Sequence, residues 1–136
     1  MSVKKSERNE SKLSVILKAE SITVYTIEIT GNEKYFPKRH RWSLTVRLVD
    51  ATLDMLQYVV TANSIRVKDA ASKNERYQLQ ERAYATSVWL LTLINIAFMK
   101  FKLADDRVEY WTGQVVEFQR QLRAWQKSDE VRYAEF

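Results

Sequence analysis

The chain has 136 residues, of which 46% are hydrophobic and 29% charged, with a formal net charge of +5; that length suits one domain with a real core and not two. Two glycines and one proline are too few for the turns of a sandwich or barrel, so the sequence reads as all-α. With no cysteine and a single histidine, a disulfide framework, a thiolate metal site and a zinc cluster are implausible, and neither a cofactor nor a metal is expected.

Residues 1–10 are charged and polar, without the apolar stretch of a signal peptide, and are expected to form a mobile N-terminal tail. Residues 21–30 are β-branched and partly alternating, which locally favours a strand. Leu13, Ile16, Leu17, Val24 and Ile27 nevertheless fall near helical spacing, and a lone strand would have no partner. A first helix is therefore expected over 11–30, stopped at Gly31 and Asn32.

The next segment, Phe36-Pro37-Lys38-Arg39-His40-Arg41-Trp42, holds the only proline, the only histidine and three cations with no acid between them. Pro37 ends what precedes it and suits the first turn of a helix. A second helix is expected over 40–63, with Leu44, Leu48, Ala51, Thr52, Met55, Val59 and Ala62 as its apolar stripe. On its outer face Arg47 and Asp50 are spaced to pair, and Asp54 is too close to Asp50 for comfort. Cations at the start of a helix meet the positive end of its dipole, at a cost of about 0.3 to 1 kcal/mol where exposed. An anionic partner would relieve that repulsion, although solvated basic runs without a role are also common.

A polar, basic connection over 64–72 leads to a third helix over 73–101 that is apolar nearly all round, through Leu79, Ala83, Leu90, Leu93, Ile94, Ala97 and Phe101. Such a helix is either the centre of its bundle or covered on its outer side by another subunit. Its longest apolar run, 88–99, is interrupted by Thr92 and Asn95 and too short to cross a bilayer, so a soluble, cytoplasmic chain is expected. Asp105 and Asp106 read as an acidic N-cap for a fourth helix. There Val108, Trp111, Val115, Phe118, Leu122 and Trp125 are spaced 3, 4, 3, 4, 3, a coiled-coil-like seam. Gly113 within it suggests a close packing contact. Residues 128–136 are expected to be a frayed C-terminal tail.

Four such helices over 11–127 predict an up-down-up-down four-helix bundle. That topology gathers Lys34, Lys38, Arg39, Arg41, Lys100, Lys102 and Arg107 at one end, against Glu33, Asp105 and Asp106. The other end collects Lys12, Arg66, Lys68, Lys73, Arg76, Arg120, Arg123 and Lys127, against Asp69, Glu75 and Glu117. The inventory for catalysis is thin. His40 is the one side chain suited to general-base work near neutral pH and has cations for neighbours, paired Glu-x-x-His motifs are missing, and so is a glycine-rich phosphate loop. Trp111 and Trp125 fall on the seam and read as core. Tyr35, Phe36 and Trp42 flank the basic cluster, where they can stack on unpaired bases or seat the second helix; seating is the preferred reading for Phe36 and Trp42.

Residues 35–41 (Tyr-Phe-Pro-Lys-Arg-His-Arg), 47–54 (Arg-Leu-Val-Asp-Ala-Thr-Leu-Asp), 109–112 (Glu-Tyr-Trp-Thr) and 124–129 (Ala-Trp-Gln-Lys-Ser-Asp) resemble the accessory variability determinants of diversity-generating retroelements. These are four-helix-bundle proteins related to those encoded in intervening sequences of bacterial large-subunit ribosomal RNA genes. The resemblance covers about residues 11–129 and is most specific at the aromatic-Pro-Lys-Arg-His segment. It implies a non-catalytic accessory protein, assembled as a homo-oligomeric, pentameric barrel, that binds a reverse transcriptase and structured RNA or RNA/cDNA during mutagenic cDNA synthesis. Under that reading Lys34, Lys38, Arg39, Arg41, Lys100 and Lys102 meet phosphates and His40 donates a hydrogen bond. The ribosomal-RNA branch implies instead a protein-binding bundle with no intrinsic RNA affinity.

Overall fold

The structure, a computed structural model, describes the backbone of residues 5–136 and the side chains of residues 14–136. Four helices account for most of it: α1 (Lys5–Thr30), α2 (Val46–Ser64), α3 (Ala70–Phe101) and α4 (Asp105–Arg132). No strand forms among the described residues. Helices α1 and α3 each pack against both α2 and α4, and the short connections make successive helices antiparallel. This is the square, up-down-up-down arrangement that the periodicities call for.

The α4 seam is buried as its spacing requires, with Trp111, Val115, Phe118, Leu122 and Trp125 all inside. Facing it are Val15, Ala19, Ile22 and Ile29 of α1, Leu48, Met55 and Val59 of α2, and Leu90, Ile94 and Ala97 of α3. Residues 21–30 are helical despite their strand-like composition, because one stripe of them reaches this core. The stop after Thr30 does not use a left-handed glycine: Gly31 has no positive φ. A Cβ at Gly31 would lie 3.0 Å from the Ile27 carbonyl oxygen, whose hydrogen bond the Gly31 N–H donates to.

Several boundaries differ from the sequence reading. Helix α1 already runs from Lys5, so of the expected N-terminal tail only residues 1–4 lie outside the described residues. Helix α3 starts at Ala70, three residues early, because Asp69 and Ser72 form a reciprocal capping box. The Ser72 N–H donates to Asp69 Oδ1 at 2.8 Å, and that bond with the Ser72 hydroxyl holds the Asp69 carboxyl below its usual range. At α4 the N-cap is Ala104, and Asp105 and Asp106 occupy the first turn, where they still face the positive dipole end. The helix also continues past Lys127 to Arg132, since Ser128 extends the seam and Asp129 is held from α3.

Helix α3 is not the centre of the bundle. Its inner stripe is buried, while Val88, Trp89, Ile96 and Met99 are exposed on its outer side. With 32 residues it is long and apolar enough to cross a bilayer by length and composition, a test that core helices of bundles also pass. The expected Arg47–Asp50 ion pair does not form; both side chains line a shallow groove with Asp54 and Trp89 between α2 and α3.

Arg76, one of the cations the topology gathers at the far end of the bundle, is buried. Its guanidinium is forked onto Asp129, Nε to Oδ2 at 2.7 Å and Nη2 to Oδ1 at 3.0 Å, and Gln80 donates to the same carboxylate at 2.9 Å. The ring of Trp125 lies 5.0 Å from the guanidinium carbon. Removing one partner of a buried pair strands the other charge, at about 3 to 5 kcal/mol. Asp129→Ala is therefore expected to destabilise the fold by about that amount in urea unfolding. Gly113 makes no close contact at all: an added Cβ would meet nothing within 4 Å. Gly113→Ala is expected to raise the unfolding free energy by about 1 kcal/mol in the same assay.

Candidate nucleic-acid interface

The segment between α1 and α2 is built around Phe36, which is 3% exposed. Its ring packs edge-on against Phe101 at 5.1 Å and Trp111 at 6.2 Å, so one side chain ties the connector to the end of α3 and the start of α4. Trp111 is in turn held to α1 by its indole N–H, which donates to Thr26 Oγ1 at 3.0 Å. Tyr25 packs edge-on against Trp111 at 6.0 Å, and burial raises its phenol pKa. Tyr35, a stacking candidate, lies under the Arg107 guanidinium at 4.3 Å and meets it through its hydroxyl at 3.3 Å.

Beyond Phe36 the chain does not enter an α-helix directly. Pro37 caps a 3-10 turn, Lys38–His40, which passes into a π-helical turn, Arg41–Thr45, before α2 begins at Val46. The second helix thus starts six residues later than the reading from His40, and Pro37 stands before a 3-10 turn and not in the first turn of an α-helix. Arg41 and Val46 keep right-handed helical dihedrals, whereas His40, at φ −105° and ψ 12°, separates the π-helical turn from the 3-10 turn before it. Arg41 therefore stands at the positive end of that helix, and Lys38 and Arg39 precede it.

All seven candidate residues share this end of the bundle. Lys34 is exposed in the connector, its N–H bonded to Asn32 Oδ1 at 3.0 Å. Lys38 pairs with Glu33 at 3.3 Å, and both side chains are mostly in solvent, so the pair is weak. Arg39 is exposed and its Nε–H donates to His40 Nε2 at 3.3 Å. Since Nε2 accepts, the donor left on His40 is Nδ1–H. The His40 ring sits 5.4 Å from Phe101, which brings residues 38–41 beside Lys100 and Lys102. Arg41 is exposed and lines a cavity of about 260 Å³ with Phe36, Pro37, Lys38 and Asp50. Among the described residues no carboxylate lies within 4.0 Å of Lys34, Arg39, Arg41, Lys100 or Lys102.

The opposite end is arranged differently. Arg76 is buried on Asp129, Arg120 pairs with Glu117, and Arg123 pairs with Glu81 over the ring of Tyr84. A hydrogen bond from Gln126, helped by Arg123, holds the Glu81 carboxyl below its usual range against partial burial. Arg66, Lys68, Lys73 and Lys127 remain there without an ion pair.

Trp42 departs from the sequence reading. It was expected to seat α2 beside Phe36, and it is 80% exposed. The signal was present in the spacing: at about 100° per residue, Trp42 lies some 200° around the axis from Leu44, which starts the buried stripe. No protein-family model matches the chain, and neither a curated protein nor a solved structure is detectably similar to it.

Lys102 ends α3 in the left-handed region, at φ 52° and ψ 50°. A side chain there costs about 1 to 2 kcal/mol relative to glycine, so helix termination alone would not choose lysine. Lys102→Gly is expected to raise stability by about 1 kcal/mol in thermal unfolding while removing one cation from this end.

Proposed function

We propose that the protein is a non-catalytic, cytoplasmic accessory subunit of a diversity-generating retroelement. It binds structured template RNA, and with it the reverse transcriptase, through the end of the bundle formed by residues 34–41 and 100–102. The observation that carries this reading is the group of five exposed cations without a carboxylate partner, Lys34, Arg39, Arg41, Lys100 and Lys102, fixed on the Phe36 seat. Three of the cationic positions, 38, 39 and 41, lie in the segment that carries the resemblance. Exposed apolar side chains on α3 support the homo-oligomeric part of the proposal, a pentameric barrel in this reading. A non-catalytic role fits a histidine whose Nε2 takes its hydrogen bond from an arginine in place of a carboxylate-oriented ring.

The same apolar surface of α3 favours a second reading, a protein-binding bundle of the ribosomal-RNA intervening-sequence type with no RNA affinity of its own. Binding to a structured RNA across a salt series separates the two. The native chain is expected to lose affinity steeply as salt rises, and Lys38→Glu with Arg39→Glu and Arg41→Glu to flatten the slope by about 2 to 3 units, near one per phosphate contact. Helicity and mass of the variant should be unchanged. No binding by the native chain at low salt would overturn the RNA reading. Loss of a protein partner on Val88→Glu or Met99→Glu would then favour the second.

A further inference from the structure

We propose that Trp42 is a stacking platform for an unpaired base, so that this end of the bundle takes single-stranded nucleic acid or the unpaired stretch of a folded one. The inference rests on the nucleic-acid reading of the basic end and adds the feature of the ligand that is recognised.

Of the four tryptophans, Trp111 and Trp125 are buried, and Trp89 is half-exposed in a groove with Arg47, Asp50 and Asp54, where two carboxylates outweigh one guanidinium and disfavour a phosphate. Trp42 alone stands among cations, in the π-helical turn between Arg41 and Ser43, with Arg39 one turn before it. It is the most exposed large apolar side chain described. Among the described residues no aromatic ring packs on it and no guanidinium lies over it. The nearest arginine in sequence but one, Arg39, is turned to His40. Single π-helical turns are frequent at functional sites.

An indole 80% exposed, next in the chain to Arg41 and three residues from Arg39, matches the chemistry of single-strand binding, in which a base stacks while the backbone is held electrostatically. Bases inside a duplex have their faces covered by neighbours and cannot use it. An exposed tryptophan beside arginine can also anchor a protein contact; a base is favoured here because Arg39 and Arg41 have no carboxylate within 4.0 Å among the described residues and are left for phosphates.

The test compares the native chain with Trp42→Ala and Trp42→Phe, using a short oligouridylate and an RNA duplex of equal length across a salt series. Circular dichroism checks folding, which an exposed position should not disturb. Trp42→Ala is expected to weaken oligouridylate binding by about 5- to 150-fold, the range for one stacked base, with the salt slope and duplex affinity unchanged. Trp42→Phe should stay within a few-fold of native. In a Trp89→Phe background, oligouridylate should quench the exposed indole and duplex should not. Unchanged oligouridylate affinity in Trp42→Ala would overturn the platform; if the triple glutamate variant still loses binding, the basic interface survives without it. Failure of the native chain to bind either probe at low salt would overturn both. A smaller assembly mass in Trp42→Ala with nucleic-acid affinity intact would assign the side chain to a subunit contact instead.

Discussion

The packing of Phe36 against Phe101 and Trp111 is the contact on which the arrangement of this end of the molecule depends. The connector after α1 has little apolar content beyond Tyr35 and Phe36; Arg107 holds Tyr35 at the edge, and Phe36 is the side chain that reaches the core. With the ring buried, three elements far apart in sequence are clamped at one point, and the fourth joins through the bond from Trp111 to Thr26. The polar consequence follows from geometry. Once Phe36 faces inward, the short turns after Pro37 hold Lys38, Arg39, Arg41 and Trp42 outward, and His40 closes against Phe101.

The two ends of the bundle differ in how much of their positive charge is tied up in ion pairs. At the end where α3 begins and α4 finishes, Arg76 is inside the protein, forked onto a carboxylate and flanked by the rings of Trp125 and Tyr133. Desolvating a guanidinium is costly, and the full set of bonds to Asp129 together with the bond from Gln80 offsets that cost. This arginine therefore works as a cross-link between α3 and α4. At the other end the cations lack such partners and stay hydrated, which leaves them free for an external anion. Arg76 is thus structural, while Arg66, Lys68, Lys73 and Lys127 at its own end stay without an ion pair, as Lys34, Arg39, Arg41, Lys100 and Lys102 do at the other.

The outer side of α3 poses the remaining physical question of the surface. Val88, Trp89, Ile96 and Met99 follow one another along it, and Leu17, Val24 and Ile27 do the same on α1. Surfaces of this kind mark contact sites in proteins generally. Association of copies through them fits the proposed assembly, and it would leave the basic end, which points along the bundle axis, open to nucleic acid.

Much of the fold was legible in the sequence, because helix faces are encoded by local spacing. The 3, 4, 3, 4, 3 seam of α4, the stripe from Leu44 to Ala62 and the scarcity of glycine and proline determined four helices and the inward faces of α2 and α4, whereas on α1 the expected stripe residues Leu17, Val24 and Ile27 face solvent and Val15, Ala19, Ile22 and Ile29 face the core. The collection of Lys34, Lys38, Arg39, His40, Arg41, Lys100 and Lys102 at one end also followed from counting helices and reversing direction at each connection. Other features rest on what lies opposite a residue in space. Phe36 is buried only because Phe101 and Trp111 lie opposite it, which nothing in the connector's sequence announces, whereas the exposure of Trp42 follows already from its offset from Leu44. Gly113 sits within a well-patterned helix, yet it faces open space because no neighbouring helix reaches it. Arg76 and Asp129 are 53 residues apart, and their pairing exists only once α3 and α4 are side by side. Periodicity specifies which way a side chain points along its own helix; what it meets there is set by the register of the helices against one another.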